Sequence, residues 1–244
     1  MYNVYKQRPS NTDIFVYDES LTQVGLISEY ESFIIERSHF SIGQFTLTVP
    51  ETAVDADKLE DGRIITLGQS DCRAGIVRSI EANESRDEKI ITIQGYMLKG
   101  LTRLRIIVPP TLTEDPEALG WDRTSGTAEE VYRHYIEKHI TNPTDANRKI
   151  PLVVLDDLAD PPRGIETPWQ CQHDETLPDV LEEIGEWTDV GWDIRLDITN
   201  KKMVFVVIPG RDKTLDNTEG NSPVLFAYEM DNITVSRYLE DKSE

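Results

Sequence analysis

The sequence predicts an α+β fold that is mainly β, and three observations lead to this prediction. The first 108 residues contain short β-branched and aromatic segments separated by turn residues. After the double proline at Pro109 and Pro110, the apolar residues recur with the period of a helix. The alternation typical of strands returns at Trp192. We therefore expect a β domain joined to a part in which two helices lie against a small antiparallel sheet.

The early strands are defined by alternation and by turn residues. Between Phe45 and Val49 apolar residues alternate with threonines, and Pro50 ends the ladder. Residues 30–37 carry apolar side chains on both faces, which predicts cover on both sides. The other predicted strands are residues 14–17, 24–27, 63–67, 73–80 and 90–94. Connections of these lengths are typical of a barrel or a sandwich.

The first long helix is predicted from its start and its end. Thr127 and Glu130 have the spacing of a capping box, and Asn142 before a proline ends the helical pattern. A shorter helix is predicted over residues 98–104. A buried strand is predicted over residues 150–155.

The second long helix has Pro178 in its first turn, where proline is tolerated, and Gly191 is expected to close it. A hairpin is predicted to follow, made of residues 192–198 and 202–208. A short strand over residues 169–172 precedes this helix. The apolar stripe of the helix is predicted to contain Leu177, Val180, Leu181, Ile184 and Trp187.

The ends of the chain indicate a discontinuous first domain. Strand-like segments at residues 224–228 and 233–238 are expected to rejoin the first sheet. The predicted organisation is therefore a first barrel-like domain of residues 1–108 plus 222–244, with residues 109–221 inserted as a second domain that carries both helices.

The composition argues against several classes of partner. The net charge of -20, from 45 acidic and 25 basic residues, is unfavourable for binding nucleic-acid phosphates. No apolar run is long enough for a membrane span, and the polar start lacks the apolar segment of a secretory signal. Cys72 and Cys171 lie too far apart for a zinc motif, and two cysteines fit a reduced, intracellular setting.

Several segments of the first 108 residues, taken in order, resemble a known family. They are Val16-Tyr17-Asp18, Glu29-Tyr30-Glu31-Ser32 with Phe33-Ile34-Ile35, Gly43-Gln44-Phe45-Thr46-Leu47 with Pro50, Arg63-Ile64-Ile65, Gly75-Ile76-Val77, and Ile91 to Leu101 before Arg105-Ile106-Ile107. This ordered set resembles the siphovirus tail Gp37-like family of baseplate-hub or tail-associated proteins of long-tailed phages and prophages. The resemblance extends more loosely through the second long helix.

The resemblance implies a hub fold of two barrel-like tail tube domains, similar to the hub of contractile tails. It implies a homotrimer that forms a pseudo-sixfold ring around the tail channel at the tail tip. The implied partners are the distal tail protein, the tape measure and the tail tube. It also implies a location in the virion tail after assembly in the cytoplasm of the bacterial host. No cofactor, no stable nucleic-acid binding and no membrane insertion are expected.

The histidines offer little support for catalysis or for metal binding. His134 and His139 lie five residues apart on the first helix, so we expect them on different faces. Glu130 and His134 share a face, a spacing compatible with a metal ion but common by chance. His39 and His173 lie in unrelated segments and complete no visible triad. We therefore predict no catalytic, cofactor-binding or metal-ligating residue.

Two acidic loops are better candidates for chemistry. The first contains Asp156, Asp157 and Asp160, and the second contains Asp212, Asp216, Asn217 and Glu219. Neither loop has the ligand spacing of an EF hand. Solvated turns are the expected role, and glycoside hydrolysis by paired carboxylates is the alternative.

Four tryptophans raise the alternative of a sugar platform. Trp187 and Trp192 have apolar neighbours and are expected in the core, whereas Trp121 and Trp169 lie in loop-like sequence. We interpret the chain as a structural, non-enzymatic tail component. The rival hypotheses are a carbohydrate- or receptor-binding tail module and a cell-wall hydrolase that uses loop carboxylates.

Overall fold

The structure, a computed structural model, describes residues 3–7, 12–68, 71, 73–84, 89–109, 120–211, 213–216, 218 and 220–224. Contacts group Met1–Pro209 into one compact unit and Gly210–Glu244 into another. The described part of the larger unit contains an eight-stranded, a three-stranded and a two-stranded sheet and two α-helices. The described part of the smaller unit is a loop in which the Val224 amide donates to the Lys213 carbonyl oxygen at 3.0 Å.

The eight-stranded sheet is built from the start of the chain. Its strands are β1 (Asn3–Gln7), β2 (Ile14–Tyr17), β3 (Gln23–Ile27), β4 (Ser32–Arg37), β5 (Gln44–Pro50), β6 (Ile64–Leu67), β7 (Ala74–Glu84) and β8 (Lys89–Met97). Their order across the sheet is β1-β4-β5-β8-β7-β6-β2-β3, with antiparallel neighbours. The mainly β class is confirmed, whereas no strand was predicted at β1. Closure of the sheet into a barrel stays a prediction.

Apolar side chains on one face of this sheet form a first core. On β5 the apolar residues are buried and the threonines between them are half-buried, as the alternation predicts. All four residues of β6 are buried, with Ile65 in the first core and Ile64 in a second core on the opposite face. Residues 30–37 were predicted to be buried on both faces of the sheet, but Ile34 on β4 is only half-buried. The strand that is buried on both faces is β6.

The second core joins this opposite face to the rest of the larger unit. That part contains β9 (Trp121–Thr127), α1 (Ala128–Ile136), β10 (Val153–Leu155), β11 (Glu166–Gln172), α2 (Leu177–Thr188), β12 (Val190–Asp197) and β13 (Lys202–Pro209). β13 pairs in parallel with β10 and antiparallel with β12, and β9 pairs antiparallel with β11. The two predicted helices and the hairpin are present, β10 is shorter than predicted, and β9 was not predicted.

The start of α1 is fixed by the predicted capping box. The Glu130 amide donates to Thr127 Oγ1 at 3.4 Å, and the Thr127 amide donates to Glu130 Oε2 at 2.8 Å. A π-helical turn, Glu137–Thr141, follows α1 and ends at Asn142. Short 3-10 helices occupy Ala56–Lys58, Leu98–Leu104 and Ala146–Arg148, the second of them at the predicted position.

The end of α2 differs from the prediction. Four of the five predicted stripe residues are buried, but Trp187 is 69% exposed. The buried position in the last turn belongs to Thr188, whose hydroxyl donates to the Ile184 carbonyl oxygen at 2.7 Å. Asp189 ends the helix with a φ of 55°, so Gly191 lies within β12 and does not close the helix.

The predicted division into residues 1–108 plus 222–244 and residues 109–221 stays a prediction. The segments at residues 224–228 and 233–238 lie outside the described residues, apart from Val224. Among the helices that the structure describes, none has the length and apolar character needed to cross a membrane.

Candidate functional site: the joint between the two sheets

The loop between β4 and β5 leaves the eight-stranded sheet and lies against α2 and β12. We call this region the joint, and we define it as residues 38–43 together with Arg37, Lys99, Gly185 and residues 191–193. None of these residues was predicted to be functional. The one available signal was Lys99, a charged residue in an otherwise apolar stretch that precedes a predicted boundary.

Lys99 holds the loop of the joint in place. Its side chain is buried, and Nζ donates to the carbonyl oxygens of Ser38, His39 and Ser41 at 3.0, 3.1 and 3.1 Å. Nζ also lies 4.4 Å from the centroid of the Trp192 ring. Burial lowers the pKa of Lys99 to about 8. An ammonium group has three N–H donors, and here each of them has a carbonyl acceptor. Lys99 therefore stabilises the loop and is not a free amine.

An ion pair between a partly exposed arginine and a buried carboxylate crosses the joint. Arg37 donates to Asp193 Oδ2 at 3.0 Å, and a second hydrogen bond to Asp193 comes from the amide of Ile194 at 2.9 Å. Burial raises the pKa of Asp193 and outweighs the opposite effect of the charges on Lys99 and Arg37. The pair connects β4 of the eight-stranded sheet to β12 of the three-stranded sheet.

Two glycines make room for the loop. A Cβ on Gly185 would lie 2.7 Å from Cδ1 of Phe40 and 2.8 Å from the hydroxyl oxygen of Tyr132, both closer than real contacts. A Cβ on Gly191 would overlap the ring of His39. Both glycines are therefore needed for close approach, since neither has a positive φ.

A second buried polar cluster lies between β9 and α1. Asp122 is fully buried, and its Oδ1 accepts hydrogen bonds from Nε2 of His134 at 2.8 Å and from Nζ of Lys138 at 3.0 Å. Nε2 of His139 lies 3.5 Å from Oδ2. The expectation that His134 and His139 lie on different faces is therefore wrong, because the π-helical turn after α1 brings residues five apart to one carboxylate.

The arrangement around Asp122 is structural. Burial alone would raise the pKa of Asp122, but the hydrogen bonds from His134 and Lys138, together with the nearby ring of His139, outweigh it and hold that pKa below its usual range. The carboxylate of Glu130 takes part in the capping box, so it does not pair with His134 one turn further along the helix. In the described ranges, no group of three or more His, Cys, Asp or Glu side chains could hold a metal ion.

The first acidic loop is a solvated turn. Asp156, Asp157 and Asp160 are all exposed. The loop is fixed from inside by buried Glu129, whose Oε2 accepts a hydrogen bond from the Arg163 amide at 2.9 Å. The structure therefore shows no convergent pair of carboxylates among these three residues.

The remaining candidates that the structure describes give no reactive site either. Asp216 of the second acidic loop is exposed, and Asp212, Asn217, Glu219 and Cys72 lie outside the described residues. His173 forms a surface ion pair with Asp174 at 2.7 Å. Burial raises the pKa of the Cys171 thiol to about 11, so the thiol stays protonated at neutral pH.

The four tryptophans do not form a platform. Trp192 is buried in the second core as predicted, and Trp187 is exposed on α2. Trp169 pairs with Thr124 and Trp121 pairs with Gln172, and these positions have opposite parity along β9 and β11. Since neighbouring residues of a strand point to opposite faces, Trp121 and Trp169 lie on opposite sides of the pair.

A groove of about 840 Å³ lies between the β2–β3 and β12–β13 hairpins. Its charged lining residues have both signs, and Lys201 among them donates to Thr22 Oγ1 at 3.0 Å. Nε of Arg195 is buried there without a hydrogen-bond partner. The lining residues include no serine, cysteine or histidine.

Among the described residues, the buried charges are engaged in holding two sheets together, and the fold that results is also found in a solved structure. Prophage tail protein gp18 of Listeria monocytogenes EGD-e is similar with a TM-score of 0.51 and 10% identity over 81% of this chain and 51% of that protein. The chain belongs to the family described as Siphovirus ReqiPepy6 Gp37-like protein, whose model matches residues 13–242. The resemblance stated from the sequence is thereby confirmed.

Two further solved structures are similar over a comparable range. The tail protein of Neisseria meningitidis MC58 has a TM-score of 0.46 and 13% identity over 80% of this chain and 50% of that protein. The 43 kDa tail protein of prophage MuSo2 from Shewanella oneidensis has a TM-score of 0.44 and 15% identity over 80% of this chain and 54% of that protein. The chain thus spans about half the length of these proteins. No curated protein sequence matches the chain.

Proposed function

We propose that the chain is a structural component of a phage or prophage tail tip that forms a baseplate hub ring around the tail channel. The ring connects the tail tube to the host-binding parts of the tail. The observation that carries the proposal is the joint, in which Lys99, Arg37 and Asp193 are used to fasten one sheet to the other. Membership in the Gp37-like family and the fold of a prophage tail protein support it.

In this proposal three copies form the ring, and each contacts the next through two different surfaces. A head-to-tail contact of this kind closes into a ring when the rotation between copies is right. The distal tail protein, the tape measure and the tail tube are the proposed neighbours. The chain acts in the virion tail through its shape and not through catalysis.

The net charge of -20 fits passage of DNA through such a ring. Carboxylates that face the channel repel the phosphates of the genome, so the DNA passes without sticking. Mapping the acidic residues onto an experimental structure of the ring tests this idea. A channel lined by basic or apolar residues would refute it.

Complementation separates a structural role from an enzymatic one. In a phage or prophage with the gene deleted, we expect no complete tails, and the wild-type chain should restore them. Lys99→Glu, which places a buried carboxylate against three carbonyl oxygens, should fail to restore tails. Asp156→Asn combined with Asp216→Asn should restore infectious particles.

The opposite result would favour a hydrolase. If the Asp156→Asn and Asp216→Asn variant assembles normal tails but cannot infect, loop carboxylates have a chemical role and the non-enzymatic proposal is wrong. If deletion leaves tails complete and infectious, the chain is not a hub.

A further inference from the structure

Two arginines lie together without an acidic partner. Arg105 donates to the carbonyl oxygen of Arg148, and Arg148 donates to the carbonyl oxygen of Ile106 at 2.7 Å. In the described part of the chain, no carboxylate lies within ion-pair distance of either guanidinium group. Nε of Arg105 is buried and has no hydrogen-bond acceptor. Such a pair is unexpected in a chain with a net charge of -20.

Electrostatics and burial both make this arrangement costly. Burial, followed by the positive charge on Arg148, lowers the pKa of Arg105. An anionic group placed beside the two guanidinium groups would offset the repulsion between their positive charges.

Exposed aliphatic side chains lie on either side of Arg105 in the chain. Leu104 is 53% exposed, Ile106 is 41% exposed and Val108 is 36% exposed. We call Leu104, Arg105, Ile106, Val108 and Arg148 the arginine surface. A partner that fits it must offer carboxylates beside apolar side chains.

The exposed side of α2 carries both carboxylates and an apolar side chain. Trp187 is 69% exposed, and Glu183 and Glu186 are exposed on the same helix. Among the described residues, no cation lies within ion-pair distance of either glutamate. Burial and the neighbouring carboxylates of Glu175 and Asp179 raise the pKa of Glu183. We call Glu183, Glu186 and Trp187 the acidic surface.

We propose that the arginine surface of one copy of this chain binds the acidic surface of a second copy. The proposal rests on the proposed ring and identifies its contact surfaces. Each surface has the charge that the other lacks, and each would repel a copy of itself. The contact is therefore head-to-tail, as a ring requires.

Among the described residues, no carboxylate of the acidic surface forms an ion pair with an arginine of the same copy. Ile106 forms a bridge with Thr176, just before the start of α2, whereas Trp187 lies in the last turn of that helix. At 1.5 Å per residue, the two ends are about 16 Å apart along the helix axis. DNA fits the arginine surface less well than protein does. The three aliphatic side chains make no favourable contact with phosphates, and the net charge of the chain repels phosphates.

Sedimentation equilibrium of the full chain over a series of concentrations tests the proposal. The wild type should self-associate as its concentration rises into the high micromolar range. Reversing both glutamates, Glu183→Arg with Glu186→Arg, should weaken the association constant by about tenfold or more. The matched control is Glu29→Arg with Glu81→Arg, which makes the same change in charge at two exposed positions elsewhere and should associate like the wild type.

A charge swap provides the second arm. Arg148→Glu should also weaken self-association, and circular dichroism checks that it is folded. Mixing Arg148→Glu with the Glu183→Arg and Glu186→Arg variant should restore association, because the unchanged arginine surface of the second variant meets the unchanged acidic surface of the first. The two changed surfaces are also opposite in charge, so they add a second favourable contact in the mixture. If Arg148→Glu does not fold, the two glutamate reversals and Trp187→Ala carry the test alone.

The outcomes separate this inference from the proposed function. A wild type that stays monomeric throughout, or glutamate reversals that associate like the wild type, would overturn the inference. The presence of the chain in purified tail particles tests the hub independently, so a chain that is found there but pairs through other surfaces would leave the proposed function standing.

Discussion

The ammonium group of Lys99 lies 4.4 Å from the centroid of the Trp192 ring. This contact places a side chain from the 3-10 helix Leu98–Leu104, which follows β8 of the eight-stranded sheet, on β12 of the three-stranded sheet. A cation over an aromatic face contributes most when both groups are shielded from water, and here both are buried.

The pH dependence of stability should report the burial of Lys99. Its pKa is about 8 in the folded chain and about 10.5 when unfolded, so the unfolded chain binds more protons between these two pH values. The free energy of unfolding should therefore rise with pH across this window, by on the order of 3 kcal/mol from this group. Urea unfolding of the wild type and of Lys99→Met measures it. The variant should lack this rise, the exposed-site control Lys202→Met should retain it, and equal slopes in all three would contradict the prediction.

The space left by Gly185 should be needed for stability. Gly185→Ala places a methyl group against Phe40 and the buried hydroxyl of Tyr132, and overpacking of this kind costs about 1–3 kcal/mol. Gly191→Ala should cost less, because the ring of His39 is exposed and can move aside. Gly25→Ala is the control, since its nearest contacts are at 3.2 Å. Thermal unfolding ranks the three, and a Gly185→Ala variant as stable as the control would contradict the overlap.

The carboxylate of Asp122 should stabilise the packing of β9 against α1. Asp122→Asn removes the charge that receives hydrogen bonds from His134 and Lys138, and we expect a loss of about 2 kcal/mol at neutral pH. Because the folded pKa is lowered, this stabilisation is present above the usual pKa of 3.8 and is lost as the pH falls toward the folded value. The difference between wild type and variant in denaturant unfolding should therefore shrink below pH 3.8. Asp57→Asn, at a surface pair, should leave stability unchanged, and a constant difference at all pH values would refute the assignment.

Two tryptophans on adjacent elements should behave oppositely. Trp192→Ala leaves a cavity in the second core and should cost about 3–5 kcal/mol. Trp187→Ala should change stability by less than about 0.5 kcal/mol, since the side chain is 69% exposed. Guanidinium unfolding compares them, and a large loss at Trp187 would mean that this side chain has a role within a single copy.

The strands with clear alternation could be predicted from the sequence, and those without it could not. β5 follows the rule of one buried face, whereas the β12–β13 hairpin follows it only in part, because residues 190–194 and 205–207 are buried in succession. Ile198, predicted on the apolar face of this hairpin, is 37% exposed because β12 ends at Asp197. β9 reads as Trp-Asp-Arg-Thr-Ser-Gly-Thr and has no apolar alternation, because its buried residue is the charged Asp122. Such a strand can be recognised only when the side chains that pair with its buried carboxylate are known.

The site was harder to predict than the fold. The salt bridge of the joint joins Arg37 to Asp193, which are 156 positions apart, so no local spacing could indicate it. The approach of His134 and His139 depends on the π-helical turn, and helical periodicity alone assigns them to different faces. Trp187 and Thr188 lie three and four residues after Ile184, and both spacings suit the buried face of a helix. The prediction assigned the buried position to the more apolar Trp187, whereas Thr188 occupies it.

The loop of the joint also sets an order of events during synthesis. Residues 38–43 leave the ribosome long before β12. Lys99 and the loop therefore cannot pack against Trp192 until that strand has been translated. A truncated chain that stops at residue 109 would leave the outer face of β6 without its cover, and we expect such a fragment to aggregate. Packing of this outer face should therefore be completed only after β12 and β13 have emerged.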